Sequence, residues 1–194
     1  MSSDEAVIRQ PTAPLWTLEE IARLSSRTGN ASETLQNVVH LIRSHFRIDV
    51  CSAYLLEPDR ASLVLAATVG LRPESVGRIR MRLTEGLVGL VAEQLRPHSV
   101  ADAANHPRFK YFSEAGEDRF RSFLGVPVID RGLLQGVLVV QTVEPRDFGT
   151  AEINMLVRAG TELAPIVAEA RTLGQFVAPA HQRLCALAQN LWWS

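Results

Sequence analysis

The run Gly136-Val137-Leu138-Val139-Val140 constrains this chain more than any other feature. Three of its five residues are β-branched and none carries a polar side chain. An extended backbone sends alternate side chains to opposite faces, so this strand cannot leave either face to water. The fold must therefore place a layer on each side of the sheet that holds it. Asp130-Arg131-Gly132 precedes the run as a hairpin turn, which makes residues 122–129 its antiparallel partner. Pro127 lies in that partner and has no N–H for a ladder, so an edge or a bulge is expected there.

The remaining segments supply the other strands and the covering layers. Residues 49–56 are rich in strand formers, and Pro58-Asp59-Arg60 turns them into a second strand at 62–69. Residues 78–83 alternate, and 98–101 form a further short strand. A first helix over 17–28 carries Leu18, Ile21, Ala22 and Leu24, with Glu19 and Glu20 favourably placed in its first turn, and stops at Gly29-Asn30. A second over 32–46 takes Ser32 as its N-cap and shows Leu35, Val38, Val39, Ile42 and Phe46 at helical spacing. Residues 86–95, opened by Thr84 or Glu85, read as a short cross-helix. Residues 150–172 form a long closing helix with a stripe of Ile153, Leu156, Val157, Leu163, Ile166 and Val167, bent at Pro165. The order predicts an α+β sandwich: an antiparallel sheet of five to six strands with N- and C-terminal helices on one face. The cross-helix and an irregular loop over 102–120 cover the other face and enclose a pocket. Residues 1–14 are read as a mobile segment, 15–172 as the domain, and 173–194 as a linker and the start of a following domain.

Charge and composition exclude several classes. Lys+Arg 20 against Asp+Glu 21 is no footprint for nucleic acid. No apolar run approaches the roughly 20 residues that span a bilayer. Asp4 and Glu5, with no apolar core behind them, are unlike a secretory leader, so the chain is read as cytoplasmic and Asn30-Ala31-Ser32 as a chance glycosylation match. Cys51 and Cys185 are two distant thiols without a Cys-x-x-Cys, a poor basis for zinc or for a cytosolic disulfide.

The strings Asp49-Val50-Cys51-Ser52-Ala53-Tyr54-Leu55-Leu56, Glu85-Gly86-Leu87-Val88-Gly89-Leu90-Val91-Ala92-Glu93, Asp102 with His106-Pro107-Arg108-Phe109, Phe123-Leu124-Gly125-Val126-Pro127, and Gly136-Val137-Leu138-Val139-Val140-Gln141 occur in that order. Over residues 17–172 they resemble the GAF family, in particular the GAF domain that opens the nitrogen-type phosphoenolpyruvate phosphotransferases. The tail Leu187-Ala188-Gln189-Asn190-Leu191-Trp192-Trp193-Ser194 resembles instead the opening helix of bacterial α-glucan (maltodextrin) phosphorylases. Together these resemblances imply a regulatory, non-catalytic front portion of a larger enzyme, a glucan phosphorylase in the main reading and a phosphotransferase in the alternative. Pyridoxal phosphate would belong only to a downstream catalytic domain, since the single lysine here, Lys110, lies in the irregular loop.

The resemblance also implies where a ligand would sit: between the sheet, the cross-helix and the loop. By position the lining candidates are Phe109, Tyr111, Phe112, Phe120, Ser122 and Phe123, with Asp102 and His106 at the rim. Aromatics can enclose a flat small molecule while polar groups orient it, or they can fill the pocket as core. The ligand is unknown, and no cofactor is required. Asp102 and His106 could together hold a metal, but His98 is the only other nearby imidazole and no third ligand is apparent, so Asp102 is better suited to capping the following turn. The Asn-Lys-Phe-Asp-Glu signature of cyclic-nucleotide-binding relatives is missing, and no cysteine stands in the loop to attach a bilin. Gly86-Leu87-Val88-Gly89 starts a helix but is not followed by Gly-Lys-Ser/Thr, so glycine there serves close packing. Ser122, His106 and Asp102 have no nucleophile elbow or oxyanion hole around them. A homodimer through helices 17–28, 32–46 and 150–172 is expected, with a downstream domain of the same chain as the second partner. A purely structural dimerisation module with a plugged pocket is the alternative from a different class.

Overall fold

The computed structural model describes residues 30–116 and 119–176. The first expected helix (17–28) and the tryptophan-containing tail lie outside the described residues. Three helices and six strands follow in the order α1 (Ala31–Phe46), β1 (Val50–Leu56), β2 (Ser62–Val69), β3 (Arg80–Arg82), α2 (Gly86–Gln94), β4 (His98–Val100), β5 (Ser122–Asp130), β6 (Leu133–Thr142) and α3 (Thr150–Thr172). The strands form one sheet in the order β3-β2-β1-β6-β5-β4. Every neighbouring pair is antiparallel.

The doubly apolar run of β6 lies where its composition requires, between β1 and β5. Its residues divide by parity. Leu138 and Val140 join a core with α1 and α3, built on Leu35, Val38, Val39, Ile42, Leu156, Leu163 and Val167. Val137 and Val139 join a second core under α2 and the loop, with Tyr54, Leu65, Leu87, Val91, Phe120 and Phe123. β1 divides in the same way, with Cys51, Ala53 and Leu55 on the helix side and Val50, Tyr54 and Leu56 on the other. All seven of its residues are buried, so the sheet is a wall shared by two cores.

The turn between β5 and β6 has positive φ at both Arg131 and Gly132, the geometry that matches the twist of a two-residue hairpin. Pro127 pairs with Val137 on one side. On its other side β4 reaches only Phe123–Gly125, so the missing N–H costs no ladder bond. A register shift follows at Val128/Ile129. One helix boundary differs from expectation. The N-cap of α1 is Asn30, whose Oδ1 accepts the Ser32 N–H at 3.0 Å, and Ser32 is helical. Asn is as good a cap as Ser, and the cap takes the earlier residue. α3 runs through Pro165 as one helix; Arg146 and the Gly149 N–H both hold Glu152 in its first turn, at 2.8 and 2.9 Å.

Candidate functional site

The α2 face of the sheet holds a cavity of about 30 Å³, lined by side chains from β1, β3, α2, the loop and β5–β6: Tyr54, Met81, Leu87, Phe109, Phe112, Phe123 and Gln141 among them. That volume holds two or three waters and is far smaller than the several hundred cubic ångströms of a drug-sized site. Phe109 and Phe112 of the loop form part of its wall.

α2 is brought close to the sheet by small residues. A Cβ on Gly89 would lie 2.7 Å from the Leu83 carbonyl oxygen, and one on Gly125 would lie 2.8 Å from Val91 Cγ2. The glycines at the start of this helix thus serve packing, and Gly86 also adopts a positive φ. Among the described residues no side chain caps the helix. Glu85 turns its carboxylate outward to the Arg82 N–H at 3.1 Å and to Lys110 Nζ at 3.1 Å. Those contacts, the Arg82 amide first, hold its pKa below the usual carboxylate range.

Of the residues singled out in the sequence, Phe109, Phe112 and Phe123 meet at the cavity. Phe120 is 3% exposed and belongs to the core beside it. Tyr111 points away and is 48% exposed. Ser122 is fully buried and pairs with the Thr142 hydroxyl directly across the β5–β6 ladder, away from the cavity lining. Strand parity, which puts 123 on the cavity side, sends 122 to the helix side with Leu124 and Val126. Tyr54, Met81, Gly86, Leu87, Val88, Ala103, Lys110 and Gln141 line the cavity without having been singled out. Tyr54 and Gln141 were findable: they share parity with the cavity-side residues of the two central strands.

Asp102 and His106 do structural work at the base of the loop. Arg121 Nε and Nη2 reach Asp102 Oδ1 and Oδ2 at 3.1 and 3.0 Å, a fork that joins the two ends of the loop. The Ala103 N–H donates to the Arg121 carbonyl at the same place. Asn105 Nδ2 adds a bond to Asp102 Oδ2 at 2.7 Å. Asp102 thus precedes the 3₁₀ turn Ala103–Asn105 and gives its carboxylate chiefly to the Arg121 side chain, with Asn105 and the Ala104 backbone amide contributing less. Arg121, through its hydrogen bonds and then its charge, holds the Asp102 carboxyl below the usual range. A depressed carboxyl stabilises the fold above its unfolded pKa, and that contribution is lost as pH falls through the folded value. Asp102→Asn should therefore unfold at a lower urea concentration than wild type from pH 7 down to about 5, and the gap should close below about pH 4. A gap unchanged at pH 3 would remove the ion pair as its cause.

His106 Nδ1 accepts the Arg108 N–H at 3.1 Å and so shapes the loop. Among the described residues His98 Nε2 is buried without a partner, and burial, then Arg96 and His106, pushes this imidazole down. No group of three His, Cys, Asp or Glu side chains among the described residues could hold a metal. Cys51 is fully buried in the helix-side core and burial pushes its thiol up, which leaves no thiolate at neutral pH. No described helix is long and apolar enough to cross a membrane.

Comparison with known proteins agrees with this architecture. The chain is 38% identical over 173 residues to the phosphoenolpyruvate-dependent phosphotransferase system protein of Escherichia coli, covering 89% of this chain and 23% of that one. It is 26% identical over 179 residues to a Nif-specific regulatory protein of Herbaspirillum seropedicae, covering 91% of this chain and 32% of that one. The chain thus spans less than a third of these relatives' lengths. The solved GAF domain of a phosphoenolpyruvate-protein phosphotransferase from Coxiella burnetii superposes with a TM-score of 0.75 at 36% identity, over 81% of this chain and 94% of that one. A free methionine-R-sulfoxide reductase from Neisseria meningitidis shares the fold, with a TM-score of 0.68 at 21% identity over 80% and 89% of the two chains. Residues 30–174 match the GAF domain family. With this match, the 38% identity and the six-stranded sheet between two cores, the chain belongs to the GAF domain family of regulatory and sensory modules.

Proposed function

We propose that this GAF domain is the sensory front module of a phosphoenolpyruvate-protein phosphotransferase. The observation that carries the reading is the 38% identity over 173 residues to a protein of which these residues form 23%. The module would hold a small molecule in the cavity under the loop and bias the packing of its helices, and through them the remainder of the protein in the cytoplasm. α1 and α3, with residues 17–28, would form the interface of a homodimer. A second reading, the regulatory front of an α-glucan phosphorylase, rests on Leu187–Ser194, a string outside the described residues.

Three tests bear on the proposal. The reading frame beyond the Ser194 codon should continue into a phosphohistidine-bearing domain. Continuation into a large domain with a pyridoxal-phosphate lysine would favour the phosphorylase reading instead. Native mass spectrometry and thermal shifts against a metabolite panel should give a bound small molecule and a raised melting temperature. A clean apo mass with no shift would favour a structural module with a plugged pocket. Sedimentation at micromolar concentration should show a dimer, and a monomer there would remove the dimer interface.

A further inference from the structure

The loop segment from Pro107 to Phe112 contributes two of the aromatics that line the cavity, and it is fastened to α2 by exposed charges. Arg108 Nη2 bonds the Thr84 carbonyl at 2.8 Å and Glu93 Oε2 at 3.0 Å. Lys110 Nζ reaches Glu85 Oε2 at 3.1 Å and lies 5.2 Å from the Phe112 ring centre, so one side chain joins the fastening to the plug. All four charged side chains of these two ion pairs are a third to a half exposed. Phe109 and Phe112 are themselves only partly buried, whereas Phe123 opposite them is 2% exposed. The near end of the segment is anchored separately, where the Asp102–Arg121 fork and the Ala103–Arg121 backbone bond close the base of the loop.

We propose that residues 107–112 are a self-plugging lid, latched shut by the Lys110–Glu85 and Arg108–Glu93 pairs and hinged at the Asp102–Arg121 fork. The cavity of about 30 Å³ is partly open to solvent and has room for two or three waters, so burying a larger guest requires Phe109 and Phe112 to withdraw. Withdrawing them breaks both ion pairs and leaves the fork whole. Exposed pairs are individually weak and screened by salt, so the latch sets a shallow opening equilibrium that ionic strength shifts. This inference deepens the reading of the cavity as the sensor's site, because it states what regulates entry to it.

The test needs no ligand, so its failure is separable from failure of the sensor reading. In a Cys185→Ser background, Val88→Cys places a thiol of similar size on the cavity wall under the lid. Cys51, buried beneath the opposite helices, reports global unfolding in the same sample. Thiol labelling at Val88→Cys should accelerate roughly three- to tenfold on adding Glu85→Gln and Glu93→Gln, or on raising NaCl from 20 mM to about 500 mM, while Cys51 stays unlabelled. Exchanging the charges, Glu85→Lys with Lys110→Glu, should return the rate towards that of the parent. The lid is overturned if neither the neutral variants nor salt changes the Val88→Cys rate. It is equally overturned if that rate rises only in step with Cys51, because the loop and sheet would then open as one unit.

Discussion

Gly136→Ala should lower the unfolding free energy by about 3 kcal/mol or more, a large part of what a domain of this size has. The added Cβ would fall inside the van der Waals sphere of the Tyr54 carbonyl oxygen and 3.2 Å from Leu55 Cα. Both belong to β1, hydrogen-bonded to β6 at the centre of the sheet. Neither backbone can retreat, because β1 is packed against a core on each face. Gly132→Ala is the control. It sits in the hairpin turn with φ +78 and nothing among the described residues within 4 Å of its would-be Cβ, so the left-handed backbone is what opposes it, about 1–2 kcal/mol. Urea unfolding of both variants separates the two costs. Equal midpoints would mean that the close approach of β6 to β1 is absent in solution.

Arg171→Met should cost about 2–3 kcal/mol. This half-buried guanidinium at the end of α3 spans two strands: Nη1 reaches Gln135 Oε1 at 2.7 Å, and Nη2 reaches the Leu56 carbonyl at 2.6 Å and the Gln135 carbonyl at 3.0 Å. Methionine keeps the apolar stem and leaves three acceptors with only partial access to water. Burial, then the charge of Arg60, pulls the Arg171 pKa down from the usual arginine range. A lowered folded pKa makes the charged form costlier in the fold, so the bonds must offset that cost. Arg171→Lys should recover less than half of the loss, because a single ammonium cannot serve acceptors on both strands. Denaturant midpoints at pH 7 check both variants; a lysine variant as stable as wild type would reduce the contact to simple charge.

The division of the chain into strands and helices was legible because side-chain periodicity reports burial directly. Val137 to Val140 demanded a two-sided sheet, and the structure supplies one core on each side. Pro127 announced a strand side without a neighbour, and β4 does end before it. The candidate site was legible in part. Phe109, Phe112 and Phe123 stand together because aromatics in an irregular loop have only the adjacent apolar cavity to enter. Ser122 was misplaced because nearness in sequence to Phe123 says nothing about face: one residue along a strand reverses the side. Gln141 was passed over although its parity on β6 sets it with the cavity-side residues, whereas Lys110 was not placed at the cavity because what brings it there is tertiary, namely the docking of the loop on α2. The Asp102–Arg121 fork links residues 19 apart across a loop of no fixed period, and no local pattern encodes that closure.

The seven buried residues of β1 give the sheet the mechanics of a diaphragm. The cavity lies on one side, and α3, whose last turn leads to whatever follows, lies on the other. No end of the sheet needs to carry a message around its edge. Displacing Tyr54 would displace Ala53 and Leu55, whose side chains bear on the helix-side core, so a rearrangement at the cavity would reach the far side across the thickness of one strand.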